Sequence, residues 1–268
     1  MSRVSVVTGG AQGIGGATSR LLAAQGDQVV LNDIDAGAAA VTAAAITEAG
    51  GRVVVVPGDI TTPEVVAAVL EAADALGGAD VLVNNVGDFR PASRDFLHSK
   101  PEQWSRLYEL NLGHVIAVTH ALLPGMIERG RGGAIINNST VEAFRGIPGH
   151  VVYSAFNAGV SAFTKSLAIE VGRYGIRVNA IAPDLADSEQ TPASAMLRGR
   201  DPELIKTWVP LGSFGRVEQY ADVIGFLASE AASFVTGQTV PVDGGTLAAS
   251  GWYTRVDGKG WTNMPDRA

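Results

Sequence analysis

Val4-Ser5-Val6-Val7-Thr8-Gly9-Gly10-Ala11-Gln12-Gly13-Ile14-Gly15-Gly16 is the stretch on which the reading of this chain turns. A β-branched run suited to a strand stops at a cluster of glycines, and Ala17 to Gln25 then reads as a helix. Gly9, Gly13 and Gly15, with Gln12 and Ile14 between them, leave a turn without Cβ atoms where backbone can approach a pyrophosphate on a helix N-terminus. The next strand, Gln28 to Asn32, ends at Asp33, about twenty residues past the turn, where a carboxylate accepts both hydroxyls of an adenosine ribose. The same carboxylate repels a 2′-phosphate. Glycines alone fit any tight turn; strand, turn, helix and acid in this order point to dinucleotide binding, and to NAD.

Beyond Asp33 the pattern repeats. Ala36 to Ala49 reads as a helix, Arg52 to Val56 as a strand, and Thr62-Pro63-Glu64 as a helix start with proline in the first turn. Ala79 to Val83 is a fourth strand, and Pro101 opens a long helix through Asn111 towards Met126. Gly133 to Asn138 is a fifth strand, Val151 to Val171 a helix, Ile176 to Ile181 a sixth strand, Val217 to Leu227 a helix, and Gln238 to Val242 the last strand. This alternation predicts a single-domain α/β fold over 1–250, a Rossmann-like doubly wound parallel sheet of about seven strands with helices on both faces. Ligands in such sheets lie outside the carboxyl ends of the strands. The loops 88–100, 139–150 and 182–211 are therefore expected to frame one cleft, with 184–211 long enough to be a lid. The tail, 251–268, fits no regular element and is expected to be a subunit contact, because Trp252, Tyr253 and Trp261 suit a covered surface.

In 268 residues, 46% are hydrophobic, which supplies a core, and the formal net charge of −7 with no basic run disfavours nucleic acid and anionic membranes as partners. Cysteine is absent, so no disulfide framework or thiolate metal site exists. No apolar run reaches the length of a membrane span, and the first strand begins by Val4 with no room for a signal peptide. A cytoplasmic protein is expected.

The motifs together are similar to those of the short-chain dehydrogenase/reductase family, over roughly residues 3 to 246. Thr8-Gly9-x-x-x-Gly13-x-Gly15 resembles its cofactor turn, and Asp59-Ile60 the pair that contacts adenine. Asn84-Asn85-Val86-Gly87 resembles its Asn-Asn-Ala-Gly motif, and Val240-Pro241-Val242-Asp243-Gly244-Gly245 its last strand and turn. Asn111 matches the helix asparagine that holds a water in a proton relay, and Tyr153 the catalytic tyrosine. The resemblance implies hydride transfer at a carbinol carbon with a nicotinamide cofactor, commonly in a homotetramer. Gln12 stands where relatives that use NADP often carry a basic residue.

Three departures accompany the resemblance. Thirteen residues before the tyrosine, where the family has serine to polarise the substrate oxygen, stands Thr140, preceded by Ser139. Four residues after it the family has lysine, and this chain has Asn157, on the same helix face as Tyr153. An amide can hold ribose hydroxyls but cannot lower a phenol pKa by charge, an effect of about 1–3 units. Lys206, Arg90 and Arg145 are candidates to replace that cation. After the sixth strand, Pro183-Asp184 replaces Pro-Gly, with Ser188 where a threonine meets the carboxamide; Asp184 should bring a carboxylate close to the nicotinamide. Asp88, Glu142, Arg90, Arg145 and His150 complete a charged rim.

The expected function is an NAD-dependent oxidoreductase interconverting a secondary alcohol and its ketone. Tyr153 is the expected acid/base, Thr140 with Ser139 the polarising pair, Asn157 the ribose ligand and Asn111 the relay. Ala195, Met196, Leu197, Trp208 and Val209 in the lid suit a hydrophobic or cyclic substrate. The competing expectations are a dinucleotide-binding sensor or scaffold with little catalysis, and different chemistry on the same fold, such as dehydration or isomerisation.

Overall fold

The computed structural model describes residues 2–197, 199–255 and 259–262. Its centre is a seven-stranded parallel sheet. We number the strands β1 (Val4–Thr8), β2 (Gln28–Asp33), β3 (Arg52–Pro57), β4 (Val81–Asn84), β5 (Gly133–Asn138), β6 (Ile176–Pro183) and β7 (Thr239–Val242). Their spatial order is β3-β2-β1-β4-β5-β6-β7. The chain winds outward one way from β1 and then the other, so a crevice opens between the β1 and β4 carboxyl ends.

Side chains alternate across a strand, and both faces of the central strands are covered, so these strands carry apolar residues on both faces, while the edge strand β3 leaves Arg52 and Val54 exposed. One face is a row set by register: Val6 pairs with Val30 and Leu82, Leu82 with Ile135, and Ile135 with Val178. All five belong to the core under α3 (Pro63–Ala75), α5 (His114–Arg129) and α6 (Val151–Val171). The next residue along each strand faces the other way. Val7, Leu31, Val83 and Ile136 form the opposite row, under α1 (Gly13–Ala24), α2 (Ala36–Glu48) and α9 (Val217–Ala228). Each such fully buried side chain contributes about 1.5–3 kcal/mol of transfer free energy.

Several boundaries differ from the sequence reading. α1 begins at Gly13 rather than Ala17, because Gly16 N already donates to Gln12 O at 2.8 Å and closes the first turn. The long helix from Pro101 is interrupted. α4 (Pro101–Tyr108) passes through a π turn, Glu109–Gly113, before α5 continues to Arg129 with Pro124 inside it. By length and composition Pro101–Arg129 could cross a membrane, but Leu107, Val115, Val118, Leu122 and Met126 are buried, as a core helix requires.

The lid holds α7 (Ala193–Leu197) and α8 (Ile205–Trp208), and its base, Ala186–Asp187, pairs with Gly215–Arg216. Ile205 and Val209 pack with Phe214 in a small core of their own. The tail does take regular structure: Tyr253–Thr254 pairs antiparallel with Trp261–Thr262, and Tyr253–Thr254 packs against α8. The Trp261 side chain and residues 263–268 lie outside the described residues.

Candidate active site

Beside the β1 carboxyl end, two glycines are required by backbone shape. Gly9 and Gly13 have φ of 60° and 54°, the left-handed region. At Gly15 the limit is space, since a Cβ there would run into the Gly9 carbonyl oxygen. Neighbouring helices hold the turn's carbonyls: Ser19 Oγ donates to Gly10 O at 2.9 Å, and Thr42 Oγ1 to Ala11 O at 2.6 Å. Asp33 stands at the end of β2, where its Oδ2 accepts from Ala11 N at 3.0 Å and its Oδ1 from Asp35 N at 3.0 Å.

Asn85 ties three strand ends together. Its Nδ2 donates to Gly9 O at 3.0 Å, its backbone N to Thr8 Oγ1 at 3.1 Å, and its Oδ1 accepts from Asn138 Nδ2 at 3.1 Å. Val86 O accepts from His114 Nε2 at 3.0 Å, so Nε2 carries the proton. Burial holds the His114 pKa down at about 4, and the ring is neutral. Asp59 accepts from Thr61 and, at 2.9 Å, from Arg106.

α6 carries Tyr153 and Asn157 one turn apart, beside Thr140 at the end of β5. Thr140 Oγ1 donates to Pro183 O at 3.3 Å and accepts from Glu142 N at 3.3 Å, next to the Tyr153 hydroxyl. Burial pushes the Tyr153 pKa up to about 12; the Thr140 side chain opposes this, while the carboxylates of Glu142, Asp88 and Asp184 reinforce it. Phe89 and His150 stand edge-on to the Tyr153 ring, with centroids 6.2 and 6.5 Å away. Asn111, in the π turn, is buried and bonds Asp88 twice: its Oδ1 accepts from Asp88 N at 3.1 Å and its Nδ2 donates to Asp88 O at 2.9 Å.

Several of the expected groups already hold protein partners. Ser139 Oγ donates to Asn157 O at 3.0 Å. The Asn157 amide nitrogen donates to Tyr153 O at 3.0 Å. Asp184 pairs with Arg145, at 2.9 Å, and accepts from the Thr246 hydroxyl. The three cations considered as replacements for a lysine are each paired with carboxylates: Arg90 with Asp88, Arg145 with both Glu142 and Asp184, and Lys206 with Glu203.

These groups converge on one cleft of about 710 Å³. Gly9, Gln12, Gly13, Ile14, Asp33, Asp59, Ile60, Asn85, Val86 and Gly87 line one half. Asn111, Ser139, Thr140, Tyr153, Asn157, Pro183, Asp184 and Ser188 line the other; Gly15 lies behind the wall as backbone spacing. Of the residues in 184–211 expected at a substrate, Met196 lines the cleft, while Ala195, Leu197, Trp208 and Val209 do not; nor do Trp252 and Tyr253 of the tail. Phe89, Ile147, Leu185, Glu189 and Gln190 line it as well, although sequence reasoning had not singled them out. Their only signal was membership of the three loops after β4, β5 and β6.

Residues 9–246 match the family profile described as Enoyl-(Acyl carrier protein) reductase. The chain is 42% identical over 248 residues to cis-4-hydroxycyclohexanecarboxylate dehydrogenase of Sinomonas cyclohexanicum, covering 92% of this chain and 97% of that one. It is 37% identical over 250 residues to a 3-oxoacyl-[acyl-carrier-protein] reductase of Chlamydia trachomatis, covering 91% and 97%. A 7α-hydroxysteroid dehydrogenase solved with NADH and 7-oxo glycochenodeoxycholic acid superposes with a TM-score of 0.83 at 29% identity, over 91% of this chain and 93% of that chain.

Proposed function

The chain belongs to the short-chain dehydrogenase/reductase family, and from that premise we propose that it is an NAD-dependent oxidoreductase interconverting a hydrophobic or cyclic secondary alcohol and its ketone. One observation carries the reading. Tyr153 and Thr140 line the same cleft as the glycine turn and Asp33.

The residues fit a dinucleotide. Gly9, Gly13 and Gly15 make a cradle that a Cβ would fill or strain, with Gln12 and Ile14 on its floor. Asp33 would hold the adenosine ribose, Asp59 and Ile60 the adenine, and Asn85, Val86 and Gly87 the middle of the cofactor. Tyr153, Asn157, Pro183, Asp184 and Ser188 would surround its nicotinamide half. Nicotinamide, when bound, supplies or accepts the hydride.

The chain's own part is the proton. Thr140 polarises the substrate oxygen and Tyr153 exchanges a proton with it. Asn157 stands at the family's lysine position without its charge, and the arginines of the rim already face carboxylates. A phenol held near 12 is protonated at neutral pH, about one part in 10⁵ ionised. Tyr153 is thus poised to give a proton to a ketone, while alcohol oxidation requires alkaline conditions. Phe89, Ile147, Leu185 and Met196 offer an apolar wall, and the Sinomonas relative's name specifies a ring substrate. We further read the protein as a cytoplasmic homotetramer, a state supported by exposed apolar Tyr108, Ile116 and Phe226.

The test is reduction of a panel of cyclic ketones with NADH and with NADPH at pH 7, for the protein and for Asp33→Ala. NADH should win by at least about tenfold, or 1.4 kcal/mol, and Asp33→Ala should narrow that gap. Equal use of both cofactors by the unaltered protein refutes the NAD assignment. Dinucleotide binding with no turnover on any ketone favours the sensor.

A further inference from the structure

The helix end expected to face a pyrophosphate already faces an anion belonging to the chain itself. Gly13 N donates to Glu189 Oε2 at 2.9 Å, across a separation of 176 residues. The neighbouring residue crosses the cleft as well, Gln190 Nε2 donating to Gly87 O at 3.1 Å. Both side chains are solvent-exposed, so burial does not force either contact. A tight turn aims them: Thr191 N donates to Ser188 Oγ at 3.2 Å, and Thr191 Oγ1 donates to Ala186 O at 3.0 Å. The turn lies against the cradle closely enough that a Cβ on Gly13 would sit 3.5 Å from Ser188 Cβ.

The first amides of α1 lack intrahelical partners and carry the positive end of the helix dipole, so they favour an anion. A carboxylate on Gly13 N and a diphosphate on the same cradle carry like charge and compete for one donor. We propose that Glu189 is an internal competitor for the pyrophosphate seat, which must leave Gly13 before a dinucleotide can bind. Gln190, holding Gly87, fastens the same strap to the opposite wall. Glu189 therefore sets cofactor affinity, and cofactor arrival is coupled to displacement of the lid base. The inference rests on the dinucleotide reading above.

Calorimetric titration of the full-length protein and of Glu189→Gln and Glu189→Ala with NAD, ADP-ribose and adenosine tests it, alongside hydrogen exchange over 186–191. Glu189→Gln keeps the shape and removes the charge. Both variants should bind NAD and ADP-ribose about 2- to 30-fold more tightly, with adenosine, which has no phosphate, unchanged. Exchange over 186–191 should rise in Glu189→Ala without ligand. Unchanged or weaker NAD binding in the variants overturns the competitor, and so does an equal gain for adenosine. If the unaltered protein and both variants bind no dinucleotide, the proposed function fails and this inference with it.

Discussion

The two halves of the cleft are built in different ways. On the cofactor side the determinants are backbone: positive φ at Gly9 and Gly13, no room for a Cβ at Gly15, and carbonyls fixed by Ser19, Thr42 and Asn85. On the substrate side they are side chains with partners in other loops, with Arg145 holding Glu142 three residues away and Asp184 39 residues away. A backbone-built site tolerates changes of neighbouring side chains, because its donors are amides. A side-chain-built site changes its chemistry with one substitution. That difference assigns affinity to the first half and proton chemistry to the second.

The comparison breaks most readily at Tyr153. Tyr153→Phe should lower ketone reduction by about 10²–10⁴-fold, since the group that gives the proton is lost. Turnover surviving in this variant, measured at saturating cofactor, would remove Tyr153 from its role.

His114 tests how firmly the cofactor wall is held. Its folded pKa of about 4 lies below the ordinary 6.5, so stability is full above pH 6.5 and declines as pH falls towards 4. The loss should reach about 3 kcal/mol, at about 1.36 kcal/mol per pKa unit. Urea unfolding at pH 7 and pH 4.5 should show a steeper decline in the unaltered protein than in His114→Gln. Equal declines would mean that other groups carry the acid sensitivity.

The smallest expected effect is the sharpest for the substrate half. Asn157→Lys places an ammonium one helical turn from Tyr153 and should move the alkaline rise of alcohol oxidation down by about 1–3 pH units. pH–rate profiles of both proteins with one accepted alcohol measure the shift. Identical profiles would show that burial and the carboxylates of Glu142, Asp88 and Asp184 outweigh the added charge.

The same contrast explains what could be read before the structure. Glycine positions, strand periodicity and the spacing from Thr140 to Tyr153 to Asn157 are local properties of the chain, and they located the sheet, the crevice and the residues around it. Two adjacent hydroxyls look alike in sequence, while successive residues along an extended chain project oppositely, so the bond of Ser139 Oγ to Asn157 O on α6 had no local signal. The partners of Arg145 and the reach of Glu189 to Gly13 join segments with no local signal between them. The tail ribbon escaped notice because each arm has only two paired residues, below the length at which alternation is visible.

The π turn at Glu109–Gly113 has one more consequence, for deletion. Such a turn takes up one residue more than the helical turn it replaces, so the helices on either side stay in phase. A residue can then be lost between Glu109 and Gly113 without rotating Val115, Val118, Leu122 and Met126 away from the sheet; a deletion variant unable to fold would contradict this. What such a change alters is the hold of Asn111 on Asp88, and with it the loop that brings Phe89 to Tyr153. Descent can thus vary the edge of the active site here while inheriting the core intact.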